Sequence, residues 1–82
     1  PMSADQRTQL IKNLNKRLEE CKVAIRNIRK DFNNIIRDKE KDKSISEDTG
    51  KRLQTALQKV TDELILKADT MSNKKENDIK SI

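Results

Sequence analysis

Apolar or thiol side chains recur in heptad order through the first half of the chain. They are Ile11, Leu14, Leu18, Cys21, Ile25, Ile28, Phe32 and Ile35, at alternating steps of three and four. A repeat of 3.5 residues lays them along one stripe of a helix, and such a stripe is stable only when packed lengthwise against other helices. The chain holds at most one more helix of this kind, so the stripe already implies partners.

Composition narrows the class further. One Gly and one Pro in 82 residues compare with roughly 7% and 5% in globular sequences, so the usual turn-makers are nearly absent. Charged residues make up 40% and aromatics 1%, which excludes a sheet protein built on β-branched and aromatic alternation. So high a charge also suits disorder, but the sustained stripe argues against that for the first half. A single Cys cannot form an intramolecular disulfide, and without His or a Cys pair a zinc site has no ligands. No apolar run approaches the ~20 residues of a membrane-spanning helix, and no secretory signal pattern is present. The opening Pro-Met, in place of an initiator Met, suggests a piece of a longer protein.

Cap signals set the element boundaries. Ser3 with Gln6 three residues later forms a capping box. A helix is predicted over about residues 4–43, ~60 Å at 1.5 Å per residue, followed by a short turn at about 44–46. Ser46 is the next N-cap, with Glu47 and Asp48 on the positive end of a second helix over about 47–78. That helix carries Leu53, Leu57, Val60 and Leu64 in heptad order. Lys67 then interrupts, and Ile65, Ala68 and Met71 continue on a shifted face. After Ser72 the sequence is polar until Ile79 and Ile82, which predicts a frayed C-terminus. A short connection forces the two helices antiparallel. Two helices bury little, so either a third is supplied from outside this chain or two copies pair.

The charge is one-sided. Residues 1–43 hold twelve Lys/Arg and seven Asp/Glu, whereas residues 44–82 hold seven of each. On a wheel of about 100° per residue with Lys22 at zero, Arg29, Asn33, Arg26, Arg37 and Lys30 fall at roughly −20°, 20°, 40°, 60° and 80°. Arginine suits phosphate because its planar fork donates paired hydrogen bonds, and such a sector could track a nucleic-acid backbone through counterion release. The other reading is a solvated face laced with intrahelical ion pairs. Nothing supports catalysis. Cys21 has no activating base nearby, no Gly-rich phosphate loop is present, and adjacent acids such as Glu19-Glu20 diverge on a helix.

Four ordered stretches resemble one family. They are Lys22-Val23-Ala24-Ile25-Arg26-Asn27-Ile28-Arg29-Lys30-Asp31, Lys41 to Asp48 at the helix junction, Leu53 to Glu63, and Pro1 to Arg7. Together they are similar to the ribosome recycling factors. Phe32 and Asn34 depart from that pattern, where the family has a small residue and an acid. The resemblance implies an all-α fold: a long antiparallel helical hairpin, part of a three-helix bundle whose first helix is absent from this chain. It implies a non-enzymatic, cofactor-free role in the bacterial cytoplasm or an organelle. There, with elongation factor G, the parent would disassemble the post-termination ribosome. It also implies that Arg26 and Arg29, with Lys30 adjoining, contact large-subunit ribosomal RNA. Lys22, Asn33 and Arg37 complete the expected interface from the basic sector. Self-association of the isolated hairpin is a further expectation. The alternative reading is a structural coiled-coil module without RNA binding.

Overall fold

Both predicted caps form. In this computed structural model, which describes residues 2–82, the Ser3 hydroxyl accepts from the Gln6 backbone N–H at 3.1 Å. The Gln6 side chain returns the bond to the Ser3 N–H at 3.0 Å. They open α1, Ala4–Lys41. Ser46 accepts from the Thr49 N–H and opens α2, Glu47–Lys80, with Glu47 and Asp48 in its first turn. The helices pack antiparallel as a rod 61 Å long. Among the described residues there is no strand, and no helix is long and apolar enough to cross a membrane. α2 runs to Lys80, past the polar stretch where the sequence pattern fades, because Ile79 is buried against α1.

The turn between them is tight. The Ser44 N–H reaches back to the Lys39 carbonyl, and the Lys43 N–H to the Glu40 carbonyl. This pair of bonds is the Schellman closure of a helix C-terminus. It requires the left-handed conformation at Lys43 (φ 63°), a place usually held by Gly. The Asp42 carboxylate accepts from Ser44 in the same turn. That bonding holds its pKa below the usual aspartate range.

The helix–helix seam differs from the heptad expectation. On α1 the residues withdrawn from solvent are Arg7, Ile11, Leu14, Leu18, Lys22, Ile25, Arg29, Asn33, Ile36 and Glu40. On α2 they include Gly50, Gln54, Leu57, Thr61, Ile65, Ala68, Ser72, Glu76 and Ile79. Both sets step by four, three and four, an eleven-residue repeat of about 3.67 residues per turn. Cys21, Ile28, Phe32 and Ile35, expected in the seam, are exposed, as are Leu53, Val60, Leu64 and Met71 on α2. The 3.5 stripe and the 3.67 seam coincide at Ile11, Leu14, Leu18 and Ile25 and differ by one residue at Lys22, Arg29, Asn33 and Ile36. Three of those four are polar, and an apolar search passes over them.

Each displaced apolar residue directly precedes a seam position, on both helices. In antiparallel helices one offset lands on one face. The hairpin therefore has an apolar face made of Leu10, Cys21, Ile28, Phe32 and Ile35 with Leu53, Val60, Leu64 and Met71. The surface area, 6568 Å², exceeds the about 5,000 Å² expected of a compact 9.5 kDa chain. No side chain of any size is fully enclosed among the described residues.

Candidate nucleic-acid interface

The opposite face is built by the residues that directly follow a seam position. On α1 these include Lys12, Arg26, Lys30, Arg37 and Lys41; on α2 they include Lys51, Gln58, Asp62 and Asp69. The capped, unbroken α1 holds Arg26, Lys30 and Arg37 in line on this face, all exposed. The sector expected to carry six site residues is thus split. Arg26, Lys30 and Arg37 stand in solvent, while Lys22, Arg29 and Asn33 sit half-buried in the seam.

Those three seam residues differ in what they can offer. Lys22 Nζ lies 2.5 Å from Asp69 Oδ1 on α2 and 3.8 Å from Glu19 Oε1. The bond to Asp69 raises the Lys22 pKa above 10.5, against the opposing effect of partial burial. Its charge is therefore already answered within the hairpin. Asn33 Oδ1 is buried and has no hydrogen-bond partner among the described residues. Arg29 lies between them in sequence, half-buried, and among the described residues its guanidinium has no acidic partner.

The pairing pattern across the whole chain bears on the two readings of the basic sector. Ion pairs form at Lys22–Asp69, Lys22–Glu19, Arg52–Asp48 and Lys80–Glu76. Among the described residues, none of Arg26, Arg29, Lys30 or Arg37 has a carboxylate within 4.0 Å. Only Arg37 has an acid three or four residues away, Glu40, so the spacing that intrahelical pairs need is absent for Arg26, Arg29 and Lys30. Here they remain available to an outside anion.

Two residues of this region were missed by the sequence reading. Asp69 answers Lys22 only because of the hairpin register, which cannot be read from one helix. Thr61 is the most enclosed side chain on α2, at 4% exposure. Its signal was the spacing of small residues Gly50, Thr61 and Ser72 at steps of eleven. Among the described residues no group of acids, Cys and His is arranged to hold a metal. The concavities found are open grooves along helix surfaces, such as the one lined by Gln54, Gln58 and Asp62.

Comparison with known proteins agrees with the resemblance. Residues 1–79 match the family described as Ribosome recycling factor. The ribosome-recycling factor of Carboxydothermus hydrogenoformans is 50% identical over all 82 residues, which align with 44% of that protein's length. Those of Symbiobacterium thermophilum and Helicobacter hepaticus are 46% and 45% identical, again over the whole chain and 44% of theirs. The chain thus spans under half the length of the curated relatives it matches. No solved structure matches it. With this coverage and identity, the chain belongs to the ribosome recycling factor family.

Proposed function

We propose that this hairpin is the ribosome-contacting rod of a recycling factor that, with elongation factor G, takes apart the post-termination ribosome. In this reading Arg26, Arg29, Lys30 and Arg37 lie against the phosphate backbone of large-subunit ribosomal RNA. The observation that carries it is the exposed row Arg26, Lys30 and Arg37 on one face of a 61 Å rod, with Arg29 half-buried beside it, none of them with an acidic partner among the described residues. Spread over three turns, about 17 Å of helix, they can neutralise several phosphates, and the counterion release supplies salt-dependent affinity. The role is one of binding and mechanical support.

The test is ribosome cosedimentation of the full-length protein at two salt concentrations, with circular dichroism as the folding control. Arg29→Ala should weaken binding with helicity unchanged. Arg29→Lys should restore part of it, because the charge returns without the fork. Binding by Arg29→Ala equal to wild type at both salts overturns the reading.

The exposed apolar face supports a companion reading. Contiguous apolar surface of this kind is covered by a partner in stable proteins. In the parent we assign that place to a third helix, and in the isolated 82-residue chain to a second copy. Light scattering should give a mass above one chain at micromolar concentration. A well-folded monomer there overturns the self-association.

A further inference from the structure

We propose that Thr61 is a positioning residue for Arg29, setting where its guanidinium leaves the hairpin. The inference rests on the RNA-contact reading above and adds to it a residue from the other helix. The register comes from contacts at separate levels. Gly50 meets the Glu40 side chain, and Lys22 meets Asp69. Near the open end, Leu14 and Leu10 share a groove with Lys75 and Ile79. A step of eleven back from Glu40 reaches Arg29, and a step of eleven on from Gly50 reaches Thr61. The two are therefore at one level of the seam.

At that level the contact is long against small. Thr61 is 4% exposed in a hairpin that has no fully enclosed large side chain. Something long must cover it, and Arg29, half-buried at the same level, has the required stem. The threonine hydroxyl is already committed to its own helix, donating to Leu57 and Gln58 carbonyls at 2.9 and 3.0 Å. This bonding fixes its rotamer and turns a rigid, compact surface toward α1. The arginine stem lies across that surface and its head emerges unpaired. A larger residue at 61 would lift the stem and release the head to many orientations.

The experiment is a double-mutant cycle on ribosome affinity in the full-length protein, crossing Thr61→Leu with Arg29→Ala. Thr61→Leu alone should weaken binding roughly two- to tenfold, the cost of one side chain that must be ordered anew on binding. In the Arg29→Ala background it should add nothing. Thr61→Val keeps the branched outline toward α1 and loses only a hydroxyl that bonds back to its own helix, so it should bind within about twofold of wild type. Thr61→Ile replaces Thr61→Leu if the leucine variant fails to fold. The Arg29 Hε resonance of the free protein should shift in the enlarged variants and hold in Thr61→Val. Equal losses from Thr61→Leu in both backgrounds, or an unmoved Hε resonance, overturn the positioning role and leave the RNA reading standing. Wild-type binding by Arg29→Ala overturns both.

Discussion

Gly50 tests how firmly the junction end of the rod is packed. It occupies the fourth position of α2 and is buried beneath the Glu40 side chain. A Cβ at that place would overlap Glu40 Oε1, with Cδ at 2.5 Å and Cγ at 2.9 Å. Gly50→Ala therefore forces Glu40 to move. The obstructing atoms belong to the far end of a flexible side chain. That side chain makes no hydrogen bond or ion pair among the described residues. Its retreat gives up at most the packing of about one half-buried methylene, roughly 0.4 kcal/mol. Against this, alanine for glycine inside a helix gains up to about 1 kcal/mol. The net expectation is a stabilisation of about 0.5 kcal/mol, rising toward 1 kcal/mol in a Glu40→Ala background, where nothing need move. Urea unfolding followed by circular dichroism, at one fixed protein concentration, reads both differences. A loss above about 1 kcal/mol that vanishes in the Glu40→Ala background would refute the idea that the carboxylate is free to leave. Equal gains in both backgrounds would show that Glu40 does not rest on Gly50 in solution.

Lys43→Gly should stabilise the turn by about 1 kcal/mol, because only the left-handed position is relieved; an unchanged or lower urea midpoint counts against that geometry. The Lys22–Asp69 pair should be pH-sensitive at the alkaline end. The Lys22 pKa is raised in the fold, so its contribution is complete below 10.5 and is lost as pH climbs through the folded value. The stability gap between wild type and Asp69→Asn should accordingly narrow above pH 10.5, and a constant gap would count against the pair. In the isolated 82-residue chain, Ile36→Ala should cost more than Ile28→Ala. The first is buried and the second 53% exposed, against about 2–5 kcal/mol for a fully buried site. In the full-length protein the Ile28→Ala cost should rise, and equal costs in both settings would mean the apolar face stays uncovered.

Much of this fold can be read from local chemistry. Ser3 with Gln6, and Ser46 ahead of two acids, announce the helix starts because a cap needs only a few neighbouring residues. The family was legible in the run from Lys22 to Asp31. What escaped was the register of the two helices. A repeat of 3.5 and one of 3.67 part by only about 30° over a heptad, so the two are hard to tell apart locally when only apolar residues are followed. The seam uses Lys22, Arg29, Asn33, Gln54, Thr61, Ser72 and Glu76, none of which such a search retains. The heptad positions remained meaningful, but they divide: Ile11, Leu14, Leu18, Ile25 and Leu57 lie in the contact within the chain, and the others form a face open to a partner. Lys43 gave no sign of its left-handed backbone, since the usual signal is Gly or Asn. Of the basic sector, Arg26, Lys30 and Arg37 lie on one exposed face as the wheel has them. Lys22 is removed from that face by Asp69, a partner forty-seven positions away in sequence.

The eleven-residue spacing has a mechanical corollary. Leu10, Cys21 and Phe32 stand eleven apart, as do Leu53 and Leu64, and Val60 and Met71, so the apolar face keeps the period of the seam beside it. An eleven-residue repeat leaves helices straight or turned slightly to the right, whereas a strict seven-residue repeat winds them to the left. A helix laid along this face can therefore run straight beside the rod and meet it from end to end. A covering helix patterned in strict heptads would instead have to bend to keep contact, or leave the face after a few turns.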